Sequence, residues 1–267
     1  MKMPEKVLFL ILVVAMYVTM IVAKVLAAPV GFYGVLTVTA FVIIHGIRFY
    51  GWKTMLIFVV ITFLLSWSFE SLSIATGFPF GNYYYTGLGK IGEVPWVIMP
   101  GYLSMGYLSW LIAHILTGHF ETKIDGSNML VIPFIASFVM VMWDVVMDPI
   151  MSTIQGEWVF PGGGFYFGVP LTNYFGWFLT IFLIYLVFAL FLSKQKKMDK
   201  SPNIGNRLFW IVIPIMYLGM ALQYLLAPFF ATANPDIYWS LFLVAIYTMV
   251  FVSLITIHRV YHDIKGN

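Results

Sequence analysis

The stretch 129–150, MLVIPFIASFVMVMWDVVMDPI, decides the fold. Its 22 residues carry charge only at Asp144 and Asp148, and roughly 20 mostly apolar residues in a helix are what cross the hydrocarbon core of a bilayer. Working outward, comparable runs lie at 7–28, 31–49, 54–76, 96–117, 172–193, 207–229 and 237–258. The chain therefore reads as all-α, a polytopic transmembrane helical bundle of about eight spans. Composition agrees: over 267 residues it is 61% hydrophobic and 9% charged, with a mean hydropathy of +0.94, values outside the range of water-soluble domains. The first run ends on Ala27–Ala28 but is long for a signal-peptide core, so it is expected to be an uncleaved span. Residues 1–267 then form a single integral-membrane domain.

A net charge of +3 leaves no basic face for nucleic acid. With no cysteine there is no disulfide, thiolate metal site or thiol nucleophile. Chemistry has to come from carboxylates, histidines, hydroxyls and aromatics. Positive-inside counting puts twelve of the fourteen Lys and Arg on one side of the membrane, with only Lys24 and Lys90 on the other. Both termini are thus expected to be cytoplasmic, in a multi-pass protein of the cell membrane whose connections 77–95 and 151–171 face outward.

Those two connections are rich in Gly, Pro and aromatic residues and share Phe-Pro and Val-Pro elements, a faint sign of a duplicated helix–loop–helix unit. Glycine permits tight turns and proline stiffens the path, so both loops are expected to fold onto the helices. The inner connection 194–207 is charged and serves as a topological linker.

A charge inside a span costs of order 2.5–3.5 kcal/mol and calls for a partner or a purpose. Glu70, Asp144 and Asp148 all fall in the outer third of their helices, Gln223 reaches a similar depth, and Asn173 opens its helix from the outer side. Four helices thus aim polar groups at one layer. Asp144 and Asp148, four residues apart, stack on one helix face. Only Lys24 and Lys90 are basic neighbours, so a protonated acid beside an ionised base is expected, the arrangement that general acid–base chemistry needs. Helix-end and water-bonding roles compete with function for Asp148, which precedes Pro149.

The five histidines read as structural. His258 and His262 lie at an inner helix end beside Arg259, His114 and His119 flank Gly118 without sharing a face, and His45 sits near the inner boundary with Arg48. No metal site is expected. The Asp-x-x-x-Asp spacing of 144–148 is similar to the magnesium–diphosphate sites of membrane prenyltransferases, but those need further carboxylates and basic groups that this layer lacks. Most aromatics belong to the interfacial belt. Tyr83, Trp158, Trp177 and their neighbours instead cluster beside the acids, where aromatic faces stabilise a cation without acting as bases.

ESLSIATGFPFGNYYY (70–85), GEVPW (92–96), WDVVMDP (143–149), GEW (156–158) and YFGVPLTNYFGW (166–177) together resemble the membrane carotenoid-biosynthesis family that contains the bisanhydrobacterioruberin hydratases and gamma-carotene 1'-hydratases. The matching pieces span about 110 residues. The resemblance implies cofactor-independent addition of water across the terminal C1=C2 bond of an acyclic carotenoid, giving a tertiary alcohol. One carboxyl of the Glu70/Asp144 pair is expected to donate the proton, while its neighbour, with Asp148, orients the water. Tyr83, Trp158 and Trp177 are candidates for stabilising the cation or packing the end group, and Asn173 for holding the water or an acid. An intramembrane carotenoid cyclase and a small proton-coupled transporter are the competing functions.

Overall fold

The computed structural model describes residues 3–25, 31–195 and 205–264. Among these, helices α1 (Met3–Val25), α2 (Gly31–Tyr50), α3 (Trp52–Thr76), α4 (Ile98–Leu116), α5 (Asn128–Ile154), α6 (Leu171–Ser193), α7 (Arg207–Phe230) and α8 (Pro235–Asp263) form an all-α membrane bundle. Six of them are long and apolar enough to cross a membrane, namely α1, α3 and α5–α8. Lys24, one of the two bases expected on the outer side, lies where side chains are outside the described residues.

Local chemistry sets the boundaries. Gly51 alone separates α2 from α3, at a φ of 81° that a side chain rarely tolerates. Gly77 closes α3 in the left-handed conformation, its N–H donating to the Ser73 carbonyl. Asn206 caps α7, and Pro235 occupies the first turn of α8. Pro149 removes a backbone donor near the end of α5, where the helix widens into a π-type turn over Pro149–Ile154.

α4 is the axis of the bundle. Every residue from Tyr102 to Ile115 is buried, and the helix packs against α2, α3, α5, α7 and the last part of α8. α3 is different: its buried residues Met55, Phe58, Thr62, Ser66, Glu70 and Ser73 make one narrow stripe at three- and four-residue steps, while its other faces stay apolar and open. That stripe carries Glu70 inward.

Two short pairings organise the loops at one end. β2 (Lys90–Ile91) and β3 (Val94–Pro95) form a hairpin inside 77–97. β1 (Tyr84–Tyr85) pairs antiparallel with β4 (Trp158–Val159), with Tyr84 opposite Val159 and Tyr85 opposite Trp158. The two aromatic loops are therefore joined to each other. Thr86 strengthens the join by donating to the Gly156 carbonyl at 2.6 Å. The first loop is also tied down to α3, since Ser73 Oγ accepts from the Phe80 N–H at 3.0 Å and donates to the Gly81 carbonyl at 3.1 Å.

Candidate functional site

Glu70 is brought into the bundle by the α3 stripe and is 3% exposed. Three phenols converge on it. Tyr102 of α4 donates to Oε1 at 2.6 Å, Tyr85 donates to Oε2 at 2.9 Å, and Tyr83 donates to the same Oε2. Burial, followed by the neighbouring Glu70 charge, holds the Tyr83 and Tyr85 phenols well above the ordinary tyrosine range, so both remain protonated donors.

Asp144 and Asp148 are buried one helical turn apart on α5. The Asn173 side-chain amide donates to both, reaching Asp144 Oδ2 at 3.5 Å and bonding Asp148 Oδ2. Asn173 lies in the first turn of α6, after Pro170, where the helix dipole favours negative charge. The Oδ1 atoms of both aspartates have no hydrogen-bond partner among the described residues. Each is a buried acceptor that calls for a donor.

A cavity of about 740 Å³ runs between these groups, within the range that accommodates a drug-sized molecule. Its wall includes Glu70, Tyr83, Tyr85, Tyr102, Asp148, Trp158, Asn173 and Trp177, as well as Gln223. Six of the seven residues singled out in the sequence thus share one chamber. Asp144 does not line it and stands behind Asp148, linked through Asn173.

The aromatic lining is ordered by ring contacts. Tyr102 stacks on Trp177 at 4.4 Å with 10° between planes, Trp143 meets Trp177 edge-on at 6.2 Å, and Tyr85 meets Trp158 edge-on at 5.8 Å. Trp143 in turn donates to the Tyr224 hydroxyl at 3.0 Å. The loop seats closely on α6, because a Cβ at Gly176 would stand 2.7 Å from the Pro79 carbonyl oxygen.

Sequence reasoning missed Tyr102, Trp143 and Tyr224. Tyr102 lies 32 residues from Glu70 in a helix read only as an apolar span, and a Tyr near a membrane boundary is ordinarily belt. The signal was the density of hydroxyls, Tyr102, Ser104, Tyr107 and Ser109, along one apolar helix.

The other polar groups are engaged elsewhere. Lys90 donates to the Tyr85 carbonyl at 2.9 Å and faces Glu93 at 3.9 Å instead of the acid layer. His45 is fully buried between Tyr107 Oη (2.8 Å) and the Phe209 carbonyl (2.9 Å), and Arg48 pairs with Glu5 at 2.8 Å. His114 and His119, expected on separate faces, have ring centroids 5.3 Å apart because the chain folds back at Gly118, where φ is 69°. Each bonds a backbone carbonyl.

An acid layer on the wall of an aromatic chamber, inside a helical membrane bundle, defines the class: an integral membrane protein with a polar-walled aromatic cavity within its helices. The chain belongs to the family described as carotenoid biosynthesis protein, which it matches over residues 30–252. The bisanhydrobacterioruberin hydratase of Haloarcula japonica is 29% identical over 128 residues, covering 47% of this chain and 41% of that protein. The match thus spans less than half the length of that relative. No solved structure matches the chain significantly.

Proposed function

We propose that the chain is a carotenoid hydratase that adds water to the terminal C1=C2 bond of an acyclic carotenoid. The observation that carries this is the meeting of Glu70 and Asp148, from two helices, across an aromatic cavity in a member of a carotenoid biosynthesis family. The name of the Haloarcula japonica relative adds the reaction type.

The chemistry divides between the two walls. Glu70 is the acid. Its proton forms the new C2–H bond, and the charge left on the carboxylate is received by three phenols already pointing at it, a preorganised stabilisation of the kind that lowers barriers most. The cation on tertiary C1 lies against the faces of Trp177, Trp158 and Tyr83. Asp148, backed by Asp144 and fixed by Asn173, orients a water through its free oxygen and takes the proton that the water sheds on bonding to C1. Returning that proton to Glu70 resets the site with one water consumed. No cofactor takes part.

In this proposal 1–267 acts as one membrane domain, the partners are the carotenoid, water and the bilayer, and the chamber faces the extracytoplasmic leaflet of the cell membrane. The test is expression in a host accumulating lycopene or bisanhydrobacterioruberin, with mass-resolved pigment analysis. A product heavier by one or two waters supports the proposal. An isomeric product indicates cyclisation instead, and unchanged pigments despite good membrane levels reject both substrates.

A further inference from the structure

Beyond the groups on the cavity wall the protein buries further polar atoms, of which the proposed hydration chemistry uses only the free oxygen of Asp148. The Oδ1 atoms of Asp144 and Asp148 and the hydroxyls of Tyr166 and Tyr174 are all buried, and all four lack a hydrogen-bond partner among the described residues. They come from three elements, α5, the loop before α6, and α6 itself. Tyr166 and Tyr174 meet edge-on at 5.5 Å, and Tyr174, next in sequence to Asn173, lies within electrostatic reach of both aspartates. Neither tyrosine lines the cavity, and neither does Asp144.

Two acceptors and two donor hydroxyls, all desolvated and none bonded to one another, form a set that bridging water satisfies. The chain just before Tyr166 is open to solvent. Residues 161–165, directly before Tyr166, are exposed, with Phe165 97% exposed. Tyr166 is fixed there by reciprocal backbone bonds with Val169, at 3.3 and 3.0 Å. Burial pushes its phenol up to about 12, so it keeps its proton across the physiological range.

We propose that Tyr166, Tyr174 and the aspartate pair form a water site and access route separate from the carotenoid chamber. The proposal rests on the hydratase reading and deepens it by naming the path of the second substrate. An apolar end group filling the 740 Å³ chamber would seal that side against water, whereas Asp144, Tyr166 and Tyr174 stand off its wall and Asp148 lies on it. Water held behind it is oriented by the aspartate oxygens and reaches C1 past Asp148, while the proton comes from Glu70 on the opposite wall.

The test uses membranes carrying the full chain, the Tyr166→Phe and Tyr174→Phe variants and the double variant, supplied with lycopene or bisanhydrobacterioruberin in D2O. Two products are counted: hydrated carotenoid, and unhydrated carotenoid that has gained deuterium by protonation and loss of a proton from the cation. The expected result is roughly a tenfold fall in hydrated product in the double variant, with deuterium uptake held within about twofold and the isomeric fraction raised. Because each hydroxyl has no hydrogen-bond partner among the described residues, its removal should leave thermal stability in detergent unchanged. Wild-type hydration in the double variant overturns the route. So does an equal fall in hydration and deuterium uptake, which marks a general packing effect. If the wild-type chain makes no hydrated product from either pigment, the hydratase reading itself fails, a result distinct from these.

Discussion

Replacing Glu70 by Gln changes one atom of the carboxyl group while keeping its shape, and the three phenols make the outcome calculable. Tyr83 and Tyr85 both donate to Oε2, and Tyr102 donates to Oε1 at 2.6 Å. With the amide oxygen at the Oε2 position, two of the three bonds survive. The amide nitrogen then faces Tyr102 as a donor against a donor, so the Tyr102 proton must turn into a fully buried pocket. One unsatisfied buried donor costs about 1–3 kcal/mol. Loss of the transferable proton should slow hydration about 10²–10⁴-fold, the usual worth of a general acid. The assay is hydrated carotenoid formed per amount of protein in isolated membranes, alongside thermal unfolding in detergent. Adding Tyr102→Phe to Glu70→Gln removes the displaced proton, so the double variant should recover stability without recovering activity. Hydration by Glu70→Gln within threefold of wild type would refute the assignment of Glu70 as the acid.

The remaining expectations follow from the same geometry. Tyr102→Phe alone keeps the stack on Trp177 but withdraws a bond to a charged group, worth about 1.5–3 kcal/mol, so hydration should fall roughly 10- to 100-fold, and an unchanged rate would count against preorganised stabilisation. Asp148→Asn should lower hydration more than Asp144→Asn, because only Asp148 lines the cavity; the reverse order in a side-by-side rate comparison would contradict their placement. A Cβ at Gly101 meets nothing within 4 Å on the cavity wall, whereas one at Gly176 meets the Pro79 backbone at 2.7 Å. Gly101→Leu should therefore lower turnover with thermal stability unchanged, and Gly176→Val should lower stability by at least the ~1–3 kcal/mol of overpacking. Since Tyr83 and Tyr85 are held above the ordinary phenol range, they stay protonated as pH rises through about 10. Hydration by proteoliposomes should show no loss centred there, and a midpoint near 10 would assign the phenols a different environment.

The spans were legible because burial in lipid leaves long apolar runs, and all eight helices begin within a few residues of where those runs place them. The loops were partly legible. Their Gly, Pro and aromatic content signalled folded structure, yet nothing local could say that Tyr85 pairs with Trp158, which is an event between residues 73 apart. The acid layer was legible for an energetic reason, since Glu70, Asp144 and Asp148 stand out against a lipid-compatible background. Tyr102 was not, because tyrosine is at home near a membrane boundary whether or not it serves a carboxyl group. Depth along a helix also fails to say which face looks into a chamber. Asp144 and Asp148 share a stripe, but the widened turn at Pro149 and the approach of α6 leave one on the wall and the other behind it.

The pairing of β1 with β4 has a consequence for biosynthesis. As the chain is threaded into the membrane, Glu70 and its loop tyrosines emerge long before Trp158 and Val159 are translated. The first half therefore waits with a carboxyl group and an open strand edge until the second loop arrives to cover them. A ribosome stalled between α4 and α5 would expose an unfinished pocket, the kind of unpaired intermediate that quality control recognises. The acid layer is thus completed only in a chain that has inserted at least as far as the start of α6.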